Sequence, residues 1–162
     1  MKDFVAKALL FDQLTAESAW APREKNTPIL LTKEQLLASV QSEISDIFNT
    51  RSSFTSEQIQ DLLNKVRHET ALSGIPGFMG LPPMQNVFVE DSSRWSTFED
   101  LCEMMIRLYE PRLAEPSVSV RNFDPLQQNL NITISGVLKS GALRENVSFP
   151  LNIAAGENVP ET

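Results

Sequence analysis

The sequence VSFPLNI, residues 147–153, decides the fold, because its apolar side chains recur at every second position. The same period of two runs through LNITI, residues 130–134, and through VSV, residues 118–120. A sheet built from such strands has one apolar and one polar face, and its apolar face must be covered. We therefore predict three antiparallel strands, of which the last two are joined by a hairpin loop over 136–146 with Gly141 near its tip.

The cover for this sheet comes from three predicted helices that precede the strands. Each is expected to begin at a capping box, at Thr32–Gln35, Thr55–Gln58 and Ser96–Glu99. Trp95, directly before the third box, is expected to pack as a hydrophobic staple. Apolar residues follow each box at helical spacing: Leu37, Val40, Ile44 and Ile47, then Ile59, Leu62, Leu63 and Val66, then Phe98, Leu101, Met105 and Leu108. Helices first and an antiparallel sheet last predict an α+β fold, in which the helices pack on one face of a small sheet formed by the C-terminal third.

Composition narrows the function classes. The chain has 162 residues, with 14 Lys and Arg against 21 Asp and Glu, for a net charge of −7. This balance argues against a nucleic-acid binder and against docking on an anionic membrane. A single cysteine, Cys102, excludes an intrachain disulfide and a cysteine-based zinc site, and a single histidine, His68, excludes a histidine cluster. We expect no cofactor, no membrane insertion and a cytoplasmic location.

The N-terminal 30 residues are expected to form a separate element. Phe4–Leu14 is a short apolar helix candidate in which Leu10, Phe11 and Leu14 lie together. A polar arm with two prolines follows it up to Pro28. We therefore divide the chain into a docking helix with its arm, 1–30, and a folded domain, 31–162. A helix that folds back on its own domain is an equally good interpretation.

The sharpest local feature is Tyr109-Glu110-Pro111-Arg112-Leu113, at the exit of the third helix. Pro111 disfavours α geometry at Glu110, so the helix is expected to end there. In the extended segment Glu110 and Arg112 project to the same side, as a held pair of opposite charges that can be offered to a partner. Spacing alone favours a solvated helix exit in which the charges do nothing, and an internal pair that holds the corner is a further alternative.

No constellation of residues points to catalysis. Glu99, Asp100 and Glu103 are expected on the polar side of the third helix, as a solvated helix start. The 21 acidic residues offer no pair with the diagnostic spacing of a glycosidase. Cys102 lies next to an apolar stripe and is expected to be a small core residue.

Together, these motifs resemble a known family. Phe48-Asn49-Thr50-Arg51 at the end of the first core helix, the Gly-rich loop 74–83 and the Tyr109–Leu113 segment before the strands are similar to the TssE family of type VI secretion baseplate subunits. That family belongs to the contractile-tail phage baseplate wedge proteins, historically labelled "lysozyme-like". The apolar opening Leu9–Leu14 resembles the secretion branch, whereas Met79 stands where that branch usually has an aromatic residue.

The resemblance implies a structural protein of a baseplate docked at the inner membrane. It would join other baseplate wedge subunits and provide the platform on which contractile sheath subunits polymerise. Glu110, Pro111 and Arg112 would lie at the sheath contact, and a sheet edge would receive strands from the sheath. The alternative function is that of a peptidoglycan-cleaving, lysozyme-type glycosidase.

Overall fold

The computed structural model describes residues 4–7, 30–50, 58, 61, 80–81, 95–127 and 129–154. Two helices and five strands lie in these ranges: β1 Phe4–Lys7, β2 Leu30–Thr32, α1 Lys33–Asn49, α2 Trp95–Tyr109, β3 Leu113–Asp124, β4 Asn129–Ser140 and β5 Leu143–Ala154. β1 and β2 form a two-stranded antiparallel pair, and β3, β4 and β5 form an antiparallel sheet in that order. The architecture confirms the predicted α+β fold.

The inner face of the three-stranded sheet carries the residues that the alternation predicts. Nine of its side chains are buried with the helices in one hydrophobic core, and two of them, Leu113 and Leu138, were not part of the predicted alternation; the other seven are Val118, Val120, Leu130, Ile132, Ile134, Phe149 and Ile153. Val147 and Leu151 are only half-buried at the β5 side of the sheet. The period of two in the sequence thus corresponds to one core-facing side of the sheet.

The hairpin between β4 and β5 is tighter than predicted. Ser140 pairs with Leu143, so Gly141 and Ala142 alone make the turn, and Gly141 takes a φ of 57°. The predicted loop over 136–146 is wrong, because Gly136 lies inside β4 and not in a turn. A Cβ on Gly136 would lie 2.9 Å from Leu113 Cδ1, so glycine serves a close approach of β3 to β4.

α1 begins at the capping box that the sequence predicts. Thr32 N donates to Gln35 Oε1 at 2.9 Å, and Gln35 N donates to Thr32 Oγ1 at 3.4 Å. The buried face of the helix consists of Leu36, Val40, Ile44, Ile47 and Phe48, whereas Leu37 of the predicted stripe is half-buried. The second predicted helix, after Thr55, lies outside the described residues apart from Gln58 and Asp61, which are helical.

α2 starts earlier than its predicted capping box. Trp95 is already its first residue, so the staple and the box at Ser96–Glu99 are wrong. The Glu99 side chain instead accepts a hydrogen bond from the backbone of β3. The buried face contains Phe98, Leu101, Cys102, Met104, Met105 and Ile106, which confirms Cys102 as a core residue.

The N-terminus differs from the prediction where it is described. Phe4–Lys7 is a strand and not the first turn of a helix, with Phe4 opposite Thr32 and Lys7 opposite Leu30. An isolated helix of about eleven residues is marginal in water, whereas a strand here gains an antiparallel partner. Outside the described residues lie three predicted docking residues, the single histidine and most of the Gly-rich loop: Leu10, Phe11, Leu14, His68 and 74–79 with 82–83. No helix in the described part of the chain is long and apolar enough to cross a membrane.

Candidate functional site: the Glu-Pro-Arg corner and the sheet edges

The corner between α2 and β3 is built by backbone hydrogen bonds on both sides of Pro111. Glu110 N donates to Ile106 O at 2.8 Å and so continues the helical ladder by one residue. Leu113 N then donates to Glu110 O at 3.1 Å, which closes a tight turn around the proline. Lys139 N donates to Arg112 O at 2.7 Å, so β4 fixes the far side of the corner.

The charged side chains of this corner bind each other. Arg112 donates from Nε to Glu110 Oε1 at 2.7 Å and from Nη2 to Glu110 Oε2 at 2.5 Å, in a bidentate contact. Arg112 N also donates to Glu110 Oε1 at 3.2 Å. Arg112 Nη1 reaches Ser39 Oγ of α1 at 3.0 Å. The pair therefore links α1, the end of α2 and the start of β3.

Burial corrects two of the interpretations drawn from spacing. The side chain of Glu110 is 2% exposed and that of Arg112 is 14% exposed, so the corner is not a solvated helix exit. Nor is the pair freely offered to a partner, because the two side chains are satisfied internally. Pro111, between them, is the exposed member of the triplet. The alternative of an internal pair that holds the corner is the one the geometry shows.

α2 also bonds to the outer edge of β3 through two carboxylates. Glu103 Oε1 accepts from Val118 N at 3.1 Å, and Glu99 Oε1 accepts from Val120 N at 2.7 Å. The prediction of a solvated helix start is wrong for Glu99 and Glu103, whereas Asp100 is exposed as predicted. The spacing of the two acids is compatible with this contact. The step from residue 99 to residue 103 advances about 6 Å along the helix, which is close to the roughly 6.6 Å between alternate residues of a strand.

The opposite edge strand, β5, is tied to α1 near both of its ends. Lys33 Nζ, at the start of α1, lies 2.6 Å from Glu145 Oε1 of β5. Ala154 N donates to Asn49 Oδ1 at 3.2 Å, and Asn49 Nδ2 donates to Ser45 O at 3.0 Å. Thr50, the next residue, accepts from Leu81 N at 3.0 Å. The segment after α1 therefore holds the end of β5 and the buried Leu81 together.

Comparison with known proteins gives one family. Residues 34–142 match the family model of the baseplate wedge protein gp25. The matched range is more than half of the chain and includes α2, β3, β4, the whole corner and all of α1 except Lys33. No curated protein matches the chain.

Proposed function

Because the chain belongs to the family of the baseplate wedge protein gp25, we propose that it is the baseplate subunit of a type VI secretion system on which the contractile sheath begins to polymerise. The family is a structural one of phage-tail-like baseplates, and its members interact with other baseplate components. A secretion-system baseplate places the protein in the cytoplasm, in a complex docked at the inner membrane. The similarity of Leu9–Leu14 to the secretion branch supports this choice over a phage tail.

The observation that carries the proposal is the cross-linked corner. A platform has to hold its sheet at a fixed angle to the parts that attach it to the baseplate. Arg112 and Glu110 join both described helices to β3 through a nearly dry bidentate pair, and such pairs fix geometry better than exposed ones. This gives a sheet whose position follows that of the helices.

In the proposed sheath contact, Pro111 has one role, and Glu110 and Arg112 have another. Pro111 is exposed and borders an open depression that Arg107, Ala114 and Glu115 also line, so it can touch a sheath subunit directly. Glu110 and Arg112 are positioning residues, because their charged groups are engaged with each other and with Ser39.

The N-terminal segment 1–30 is proposed to dock on another wedge subunit through Leu10, Phe11 and Leu14. The pairing of β1 with β2 brings the start of this segment back to the folded domain. A truncation of the whole segment would remove β1 as well. The better test is therefore the triple substitution Leu10→Ser, Phe11→Ser and Leu14→Ser, which leaves β1 and β2 unchanged.

The experiment uses cells that produce the protein and a fluorescently tagged sheath subunit. Deletion of the chain should abolish sheath assembly, and expression of the intact chain should restore it. The triple variant should fold with the melting temperature of the intact chain but fail to co-purify with wedge subunits. Normal sheaths in the deletion strain would refute the platform function.

A further inference from the structure

The outer face of the three-stranded sheet, the side away from the helices, carries mainly positive charge. Lys139 and Arg144 lie on this face, because they pair with each other and Lys139 follows the buried Leu138. Arg121 also lies over it, since Arg121 Nε donates to Thr133 Oγ1 at 2.9 Å. The two described helices are acidic in contrast and carry two basic residues, Lys33 and Arg107, against six acidic ones, Glu34, Glu43, Asp46, Glu99, Asp100 and Glu103. A chain of net charge −7 thus presents one face of the opposite sign.

The acidic residues nearest to this face do not neutralise it. Asp124 lies opposite Asn129, at the other end of β4 from Lys139 and about 30 Å away. Its Oδ1 accepts from Leu126 N at 2.9 Å, so the carboxylate is engaged in the turn after β3. Glu115, in the bulge of β3, is exposed and forms no ion pair with a residue that the structure describes.

Lys139 and Arg144 are two cations directly opposite each other on neighbouring strands. Like charges at such a position repel and destabilise the sheet. Within the described ranges neither side chain has a carboxylate within ion-pair distance or a hydrogen-bond acceptor. The folded chain therefore holds an uncompensated pair of positive charges, and a carboxylate from outside would relieve the repulsion.

The surface beside the two cations is flat and uncharged. Ser135 and Ser148, the next outward pair but one, hold their hydroxyl oxygens 3.3 Å apart. Val137 is half-buried between the two pairs, and Pro150 is exposed on β5. Protein interfaces combine a centre that is poor in charge with a polar rim. The outer face has this composition, with Lys139 and Arg144 at its rim.

The two cations are also held firmly in place. Lys139 N donates to Arg112 O at 2.7 Å, so the backbone of Lys139 is tied to the corner after α2. Gly141 and Ala142 alone join the two strands beyond the pair. A charge site whose backbone is fixed loses little conformational entropy when a partner binds.

We propose that Lys139 and Arg144 form a docking site for an acidic segment of another baseplate subunit, which lies across the outer face of the sheet. The proposal rests on the baseplate function and specifies the chemistry of one partner. Three cations on a chain of net charge −7 suit carboxylates better than nucleic acid, whose binding requires the displacement of counterions at many phosphates. The opposed cations reduce the stability of the free chain and favour the complex.

The first experiment compares two charge reversals in the isolated full chain at low salt. Arg144→Glu places opposite charges across the two strands and should raise the melting temperature by about 1–3 °C. Lys33→Glu has the same effect on net charge, but it replaces the ion pair with Glu145 by a repulsion and should lower the melting temperature. A melting temperature that falls equally in both variants would overturn the uncompensated pair.

The second experiment measures co-purification of wedge subunits that are expressed together with the chain. Arg144→Glu should retain about tenfold less of its partner than Lys33→Glu. A variant that is more stable alone and weaker in the complex cannot owe the loss to misfolding. Equal retention by the two variants would overturn the docking site. Loss of the wedge subunits from the intact chain after nuclease treatment would show a nucleic-acid bridge and overturn the acidic-protein assignment.

The third experiment identifies the contact directly by cross-linking the purified complex with a carbodiimide. This reagent joins a lysine amine to a carboxylate in direct contact, as an amide, and mass spectrometry locates both residues. Lys139 should be joined to an Asp or Glu of another subunit. Lys139→Arg keeps the charge without the amine, so it should retain the partner and lose the cross-link. A complex in which Lys139 forms no cross-link to another subunit would overturn the proposal. If the intact chain binds no baseplate subunit at all, the baseplate function fails, and the docking site fails with it.

Discussion

Arg112 and Glu110 meet across a single proline, with Nε to Oε1 at 2.7 Å and Nη2 to Oε2 at 2.5 Å. Among the described residues Glu110 is the one buried charged residue, with 1% of the surface of the whole residue exposed. A buried carboxylate is tolerated only when a counter-charge and hydrogen bonds replace its water. The side chain and backbone of Arg112 supply both, so removal of either residue leaves the other without its partner.

The first prediction is that Arg112→Ala destabilises the protein strongly. Removal of one partner of a buried pair leaves an unpaired charge and costs about 3–5 kcal/mol. We expect a fall of this size in the free energy of unfolding, measured by urea denaturation.

The matched control for that variant is Arg107→Ala. Arg107 pairs with Glu103 on the same helix at 3.2 Å, but its side chain is 58% exposed. Such a pair contributes about 0.5 kcal/mol or less. Similar losses for the two arginine variants would show that the Glu110 pair is not desolvated in solution.

Cys102 is predicted to be inert in the folded protein. Burial, with the Glu99 and Glu103 carboxylates nearby, raises the pKa of its thiol well above the ordinary value. The folded state thus favours the protonated thiol. Its contribution to the free energy of unfolding is fully present below the pKa of Cys102 in the unfolded chain, and it is lost as the pH rises from that value through the higher pKa of the folded state. At pH 8 a thiol reagent should label the native chain on the order of a hundredfold more slowly than the chain in urea. Rapid labelling without denaturant would contradict the packing of α2.

Gly136→Ala is predicted to disturb the corner from the β4 side. The new Cβ would lie 2.9 Å from Leu113 Cδ1 and 3.0 Å from the carbonyl oxygen of Ala114. Overpacking of this kind typically costs about 1–3 kcal/mol. Ser135→Ala, at the neighbouring position on the outer face, should change the free energy of unfolding by about 0.5 kcal/mol or less. Equal changes in the free energy of unfolding for the two variants would mean that β3 shifts away from the new Cβ without loss of stability.

Local patterns in the sequence were sufficient for the parts of the fold that depend on neighbours along the chain. The capping box at Thr32 and the alternation in β4 and β5 each express a periodicity that the structure repeats. The same reasoning failed for Gly136, because the need for glycine there comes from the close approach of Leu113 on the neighbouring strand. It failed for Phe4–Lys7 too, because β2 supplies the partner that makes this segment a strand.

The candidate site shows the same limit. Glu99 and Glu103 have the spacing of an ordinary solvated helix face, and their role depends on β3 lying alongside α2. The spacing of Glu110 and Arg112 correctly placed both charges on one side of the segment. It could not show that they face each other and Ser39, 73 residues away in the chain from Arg112. Burial is a property of the assembled core and is absent from the local sequence.

A further prediction is that the purified protein does not cleave peptidoglycan. Glycoside hydrolysis requires two carboxyl groups free to face a sugar, one as acid and one as base or nucleophile. Glu99 and Glu103 are bonded to β3, and Glu110 is bonded to Arg112. Suspensions of purified cell walls should keep their turbidity with the protein as with buffer. Clearing that disappears on substitution of a single carboxylate would instead establish the glycosidase.

The last prediction separates two roles of the corner, holding the fold and recognising the sheath. Replacement of a buried ion pair by apolar residues of similar volume is often neutral, whereas loss of one partner is not. Glu110→Leu/Arg112→Met should therefore fold nearly as well as the intact chain, unlike Arg112→Ala. If the two charges act by positioning Pro111, cells with the double variant should assemble sheaths and cells with Arg112→Ala should not. We expect this result, because both charged groups are already engaged inside the protein. A double variant that melts normally but forms no sheaths would show that the charges themselves are read by the partner.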